Sequence, residues 1–153
     1  MRRIEATINL ADEEFETTEL ERTAMLLYIT LGTNDLERSK RFYDPVMAAL
    51  GFARHVTYDD EIGYGPVPAI AAARSCFVWI TLPFLKLPAT WGNGTLIAFP
   101  ASSHEAVKAF HTAALANRGF DEGAPGLRPY HAKFYSCYVR DPDGNKLSAV
   151  CEV

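Results

Sequence analysis

No apolar run in this chain approaches the roughly 18 to 20 residues that a membrane-spanning helix needs. Its first residues are acidic and lack the basic-then-apolar order of a secretory signal. The reading therefore places the protein in the cytoplasm, away from membranes. Basic excess is missing too: 15 Lys and Arg stand against 19 Asp and Glu, for a net charge of −4. Without a clustered positive surface to neutralise phosphates, nucleic acid is not an expected partner. Cysteine is scarce and odd in number, with Cys76, Cys137 and Cys151 only. None falls in a Cys-x-x-Cys or Cys/His zinc spacing, so a disulfide framework and a zinc knuckle are both discounted, and the thiols read as small buried hydrophobes. The four histidines, His55, His104, His111 and His131, show no His-x-x-x-His or His-Glu-x-x-His pattern.

What the chain does have is apolar content: 48% of its 153 residues. That suffices for one domain with a sizeable core and is too short for two ordinary ones. Charge is uneven along it. Residues 1–24 carry seven acids against three arginines, a local −4, while the remaining acids and bases cancel. Within this acidic extension Ile4, Ala6, Ile8 and Leu10 alternate with polar residues at strand period, which fits an edge strand, a swapped arm or a disordered tail. Residues 25–153 form the expected domain.

An internal repeat with an offset of 68 residues organises that domain. Setting 28–52 over 96–120 matches Glu37 with Glu105, Lys40 with Lys108, Phe42 with Phe110, Ala48 with Ala116, Gly51 with Gly119, and Phe52 with Phe120. Each copy begins with an apolar strand, Leu26 to Leu31 or Leu96 to Phe99. A helix start follows, capped by Asn34 or Asp35 in the first copy and by Ser102, boxed with Glu105, in the second. Each helix should stop at Gly51 or Gly119. Phe42 with Val46, and Phe110 with Ala114, recur at four-residue spacing and predict one buried stripe per helix. Pro45 should kink the first helix. Strand-like stretches follow: "FARHVTY", a segment broken by Gly and Pro, then "CFVWITL"; and "KFYSCYVR", a DPDG turn, then "NKLSAVCEV". The pattern predicts an α+β domain in which twin modules, about 25–85 and 93–153, pair across a groove.

The stretches "LGTNDLERSKRFYDPVMAALGF", "GNGTLIAF", "AFHTAALANRGFDEGAPGLRPYH" and "YVRDPDGNKL", in this order, resemble the vicinal oxygen chelate superfamily, the glyoxalase, bleomycin-resistance and extradiol-dioxygenase group. The resemblance implies paired βαβββ modules with curved mixed sheets. It also implies, in many relatives, a divalent metal held by His, Gln or Glu from the first and last strands of each module. Those four positions fall here on Tyr28, Leu96, Ser148 and, with the 68-residue offset, Ile80. Leu and Ile cannot ligate, neutral Ser is a poor ligand, and Tyr must first lose a proton whose reference pKa is about 10. Neither metal nor other cofactor is expected.

Further pocket residues follow from position. His131 and Arg128 lie in "GLRPYH", entering the strand that should line the groove; each is a candidate ligand contact or an ordinary loop side chain. If Arg140 pairs with Asn145 across the DPDG turn, Cys137 lies opposite Ser148 and Tyr135 opposite Val150, all facing the groove. Trp79 would then face a helix, or line the pocket instead if the register slips by one. The expected pocket is Tyr28, Ile80, Leu96, Arg128, His131, Tyr135, Cys137 and Ser148, mainly apolar and suited to a small hydrophobic molecule. No catalytic residue stands out.

Three functions stay open: a metal-less relative that binds, or acts without metal on, a small hydrophobic molecule; a metal-dependent lyase, isomerase or dioxygenase with rearranged ligands; and a structural or regulatory dimer using residues 1–24. The resemblance implies a homodimer.

Overall fold

Ile29 and Leu31 turn inward while Thr30 turns out, and this period of two makes the first strand, β1, Ile29–Gly32. The computed structural model describes residues 26–67 and 72–153, so the acidic extension lies outside the described residues. After β1 come α1 (Leu36–Ala48), β2 (Phe52–Thr57), β3 (Glu61–Pro66), a short 3-10 turn (Ala73–Ser75) and β4 (Val78–Thr81). The second half repeats the order with β5 (Ile97–Pro100), α2 (His104–Ala116), β6 (Phe120–Leu127), β7 (Tyr135–Arg140) and β8 (Lys146–Cys151). The chain is thus two βαβββ modules, an α+β fold, and β1, α1 and β2 begin 68 residues before β5, α2 and β6.

Both helices start on a side-chain cap. Asp35 accepts from the amide of Arg38 at 2.9 Å and Ser103 from that of Ala106 at 3.1 Å, satisfying amides that have no partner within the helix. The second cap is Ser103, not Ser102 as the Ser-x-x-Glu spacing suggested. Gly51 adopts φ +80 beyond α1, as a helix stop should. Beyond α2 the left-handed residue is Arg118, at φ 68, and Gly119 has a different task. A Cβ there would stand 2.8 Å from Cε2 of Phe42 and 2.8 Å from the carbonyl of Ala114, so the glycine lets the first helix's aromatic ring close against the second module.

The sheets have matching orders, β1-β4-β3-β2 and β5-β8-β7-β6, with β1 parallel to β4 and β5 parallel to β8. Each carries its helix on one face. Ser39, Phe42, Tyr43, Val46 and Met47 of α1, and Val107, Phe110 and Ala114 of α2, are the buried stripes. They pack against Leu31, Ile62, Tyr64, Val78 and Ile80 in one sheet and Phe99, Cys137, Val139, Leu147 and Ala149 in the other, in one continuous core. At about 1.5–3 kcal/mol per large buried side chain, this helix-side core is the main stabilising term. The opposite face of each sheet stays open.

The DPDG turn locks the modules together. Asp143, whose side chain is 1% exposed, accepts the Thr33 hydroxyl at 2.7 Å, the Asn34 amide at 3.0 Å and an Arg38 Nη2 proton at 2.6 Å, all from the start of α1. Asp141 accepts the phenol of Tyr43 at 2.7 Å, while Asn145 Nδ2 donates to the carbonyl of Gly32 at 3.0 Å. Burial pushes the Asp141 carboxyl above its ordinary range, against the opposing hydrogen bonds from Asn145 and Tyr43.

Candidate functional site

Strand parity decides what the open face of the first sheet offers. Val78 and Ile80 point into the core, so Trp79 and Thr81 point away from it, beside Thr30 and across from Gly63 and Glu61 in the ladder. A Cβ on Gly63 would stand 2.6 Å from Cys76 Sγ and 3.0 Å from Cζ3 of Trp79, so glycine is what lets the indole and thiol settle over β3. Tyr58 stacks near Trp79, with ring planes within 7° and centroids 6.5 Å apart.

A cavity of about 1010 Å³ opens on this face. Leu26, Leu27 and Tyr28 wall it from the chain before β1, Cys76 and Phe77 from the turn before β4, and Leu82 and Phe84 from the segment after it. Asp60 and Glu61 are the charged side chains that line it. No lining residue comes from the second module.

The expected pocket is therefore rearranged. Tyr28 lines the cavity, whereas Ile80 is buried on the helix side. The reason is a one-residue change in spacing: Thr30 and Ala98 are 68 apart, but their strand partners Trp79 and Ser148 are 69 apart. Trp79, not Ile80, is the counterpart of Ser148. A second slip of one residue affects β7. Asn145 is drawn into the turn, its amide held by Asp141 Oδ1 at 2.8 Å, and Arg140 pairs with Lys146 rather than Asn145. Tyr138 then lies opposite Ser148, while Cys137 lies opposite Ala149 and Tyr135 opposite Cys151. Both of these side chains face α2 and not the open side: Cys137 Sγ donates to the carbonyl of Val107 at 3.6 Å, and Tyr135 stacks on His104 at 3.9 Å.

The second sheet's open face carries Ser148, Tyr138 and three cations. The Arg128 guanidinium sits 5.1 Å from the Tyr138 ring centre and also donates from Nη2 to the carbonyls of Ala124 and Ser136; Lys146 Nζ lies 5.6 Å from the same ring. Arg140 and Lys146 both donate to Glu122, at 2.8 and 3.0 Å, and hold its carboxyl below the usual range. Leu96 sits at the start of β5, exposed. His131 is exposed away from the cavity, its Nε2 2.7 Å from Glu152.

The metal positions can be tested on these residues. Corrected for register they are Tyr28, Trp79, Leu96 and Ser148, of which Trp and Leu offer no lone pair to a cation. Ser148 Oγ is buried without a hydrogen-bond partner, but Tyr138 faces it and Lys146 shares its side of the strand. Among the described residues, no three His, Cys, Asp or Glu side chains converge as a metal site. This set does not fit a divalent ion. Burial raises the thiol pKa values of Cys76 and Cys137, which keeps both protonated and poorly nucleophilic near neutral pH.

Sequence reasoning missed Thr30, Asp60, Glu61 and Phe77 as cavity-lining residues, and reached Trp79 only as the outcome of a one-residue slip. Parity supplied a usable signal for Trp79, since only one of two adjacent strand residues can face the core. Asp60 and Glu61 gave none, because their role depends on β3, a strand hidden by glycine and proline.

Comparisons with known proteins agree with this architecture. A glyoxalase/bleomycin resistance protein from Albidiferax ferrireducens T118 is 38% identical, matching 85% of this chain and 100% of its own with a TM-score of 0.74. Two more distant structures share the fold. A glyoxalase-related enzyme from Fulvimarina pelagi is 21% identical over 83% of this chain and 87% of its own, TM-score 0.64. A genomically encoded fosfomycin resistance protein from Listeria monocytogenes is 17% identical over 85% and 94%, TM-score 0.60. No curated protein matches the chain. The sequence pattern of one family covers residues 25–148, and with it the chain belongs to the Glyoxalase/Bleomycin resistance protein/Dioxygenase superfamily.

Proposed function

We propose that this protein binds a small, mainly hydrophobic molecule on the open face of its first sheet, without a metal ion. The observation that carries this is the cavity wall: Tyr28, Phe77, Trp79, Leu82 and Phe84 surround about 1010 Å³, a volume that takes a drug-sized ligand. Such a wall drives binding by removing apolar ligand surface from water, and no step of it needs a Lewis acid. Whether the bound molecule is then transformed is a separate matter; the thiol in the wall, Cys76, is kept protonated by burial and is a poor nucleophile.

The partner is a second copy of the chain. Phe84 is 96% exposed, and Leu26, Leu27, Leu82, Leu85 and Leu87 are exposed near it in the chain segments bordering the cavity. A contiguous apolar border of this kind is costly in water, and a self-complementary contact covers it twice. The three free, buried thiols suit a reducing compartment, the cytoplasm.

Two measurements test the reading together. Protein from cells supplemented with manganese, iron, nickel and zinc should carry well under one metal per chain by plasma mass spectrometry. A fragment library should shift the amide resonances of Trp79 and Phe77 and the indole resonance of Trp79. Stoichiometric metal removed by chelator, or fragments that shift only Tyr138 and its neighbours, would sink it.

A further inference from the structure

Among the described residues the cavity wall holds charge of one sign: Asp60 and Glu61 line it, and no described Lys, Arg or His side chain does. Eight ion pairs occur among the described residues, and neither carboxylate takes part in any of them. Other acids are treated differently: Asp44 and Glu122 nearer the surface, and the buried Asp143, each meet an arginine within 3.0 Å. Glu61 sits in the ladder opposite Thr81 and two residues from Gly63, on the same side of the sheet as Trp79. The two carboxylates thus border an aromatic surface made by Tyr28, Phe77 and Trp79.

Each component selects for the same ligand. A carboxylate beside a low-dielectric wall attracts a cation more strongly than it would in open water, and it repels an anion. Aromatic faces add to the attraction for an ammonium through the ring quadrupole. The apolar remainder of the wall demands hydrocarbon from the rest of the ligand. We infer that the cavity takes an organic monocation, a protonated or quaternary amine carried on an aromatic or alkyl body, with the nitrogen at Asp60 and Glu61 and the body over Trp79. This rests on the reading that the cavity is the ligand site.

The test compares three probes with one body: 3-phenylpropylamine, 3-phenylpropanol and 3-phenylpropionate. Binding is followed in the full chain carrying Trp91→Phe, which leaves Trp79 as the sole indole, and is checked by calorimetry. The amine should bind about 10-fold more tightly than the alcohol, and the carboxylate weakest of the three. In the doubly substituted Asp60→Asn, Glu61→Gln protein the amine's advantage should fall to within about 2-fold while the alcohol's affinity stays put, the charge having gone and the apolar wall not. Raising salt from about 0.02 to 0.5 M should erode the amine's advantage in the unsubstituted acids and leave the alcohol untouched, a readout independent of how well the variant folds. If the alcohol quenches Trp79 as strongly as the amine, or the amine's advantage survives both substitutions, the cation assignment is wrong although the apolar pocket stands. If none of the three reaches Trp79, the pocket reading fails and takes this inference with it.

Discussion

Replacing Asp143 by alanine should loosen the two modules from each other. The carboxylate is 1% exposed and accepts hydrogen bonds from Thr33, the amide and side chain of Asn34, and Arg38, which lie 105 to 110 residues away in sequence. A hydrogen bond to a buried charge contributes about 1.5–3 kcal/mol, but the four are not additive. Arg38 keeps a side chain 30% exposed and can turn to water, and Thr33 retains the Ser39 hydroxyl 2.7 Å away. Loss of a largely buried pair with these escape routes should cost about 3–4 kcal/mol, close to the lower figure for breaking a buried salt bridge. For a chain of this size that lowers Tm by about 10 °C. Urea unfolding followed by tryptophan fluorescence and by far-ultraviolet circular dichroism measures it. Asp143→Asn, which keeps one carbonyl acceptor for Asn34, should lose about half as much. A Asp143→Ala protein within about 0.5 kcal/mol of the parent, at unchanged denaturant slope, would show that the turn is only a turn.

Other outcomes follow from single sites. Burial raises the Asp141 pKa, so the folded state holds a proton at pH values where the unfolded state has released it; stability from this group is present below about 3.8 and declines as pH rises from there toward the folded value. Subtracting the urea-derived stability of Asp141→Asn from that of the parent across pH 3.5 to 7 should reveal that falling component, and a difference that rises instead would contradict it. Gly119→Ala places a methyl against Phe42 and two backbone carbonyls and should destabilise by about 1–3 kcal/mol, which thermal melting checks. Phe84→Asp with Leu85→Asp removes apolar surface that is exposed among the described residues, so under the proposed pairing with a second copy sedimentation should move from dimer to monomer with the circular dichroism unchanged; a parent that sediments as a monomer, or a dimer unaltered by the substitutions, would refute the contact.

How much of this was legible from sequence depends on the length scale of the signal. Local signals were reliable: the apolar stripes Phe42/Val46 and Phe110/Ala114 became the buried helix faces, and the 68-residue repeat set the starts of strand, helix and strand alike. Signals that needed a count across a loop failed by one residue. An offset that drops to the wrong side of a single insertion put Ile80 where Trp79 belongs, and a turn one residue longer than assumed put Cys137 where Tyr138 belongs. Because side chains alternate across a strand, each slip exchanged a core residue for a surface one. The strands β3 and β6 were hidden for a different reason. "EIGYGP" and "FDEGAPGL" contain the residues that usually end strands, yet here Gly63 yields space to Cys76 and Trp79, and Gly123 lies against Tyr138. Glycine's use as a spacer is invisible until the neighbour that needs the space is known.

The two separate sheets also bear on how this molecule stays apart from its neighbours. Among the described residues four strands lie at sheet borders: β1, β2, β5 and β6. A border strand with unpaired amides and carbonyls is a template on which another chain can grow. Here β1 and β5 have only four residues each, β2 breaks register between Arg54 and Val56, and β6 breaks it twice between Asp121 and Gly126. No border offers a long, straight run of backbone for recruitment into a fibre. Self-association is thereby channelled to side-chain surfaces, where size, shape and charge can select the partner.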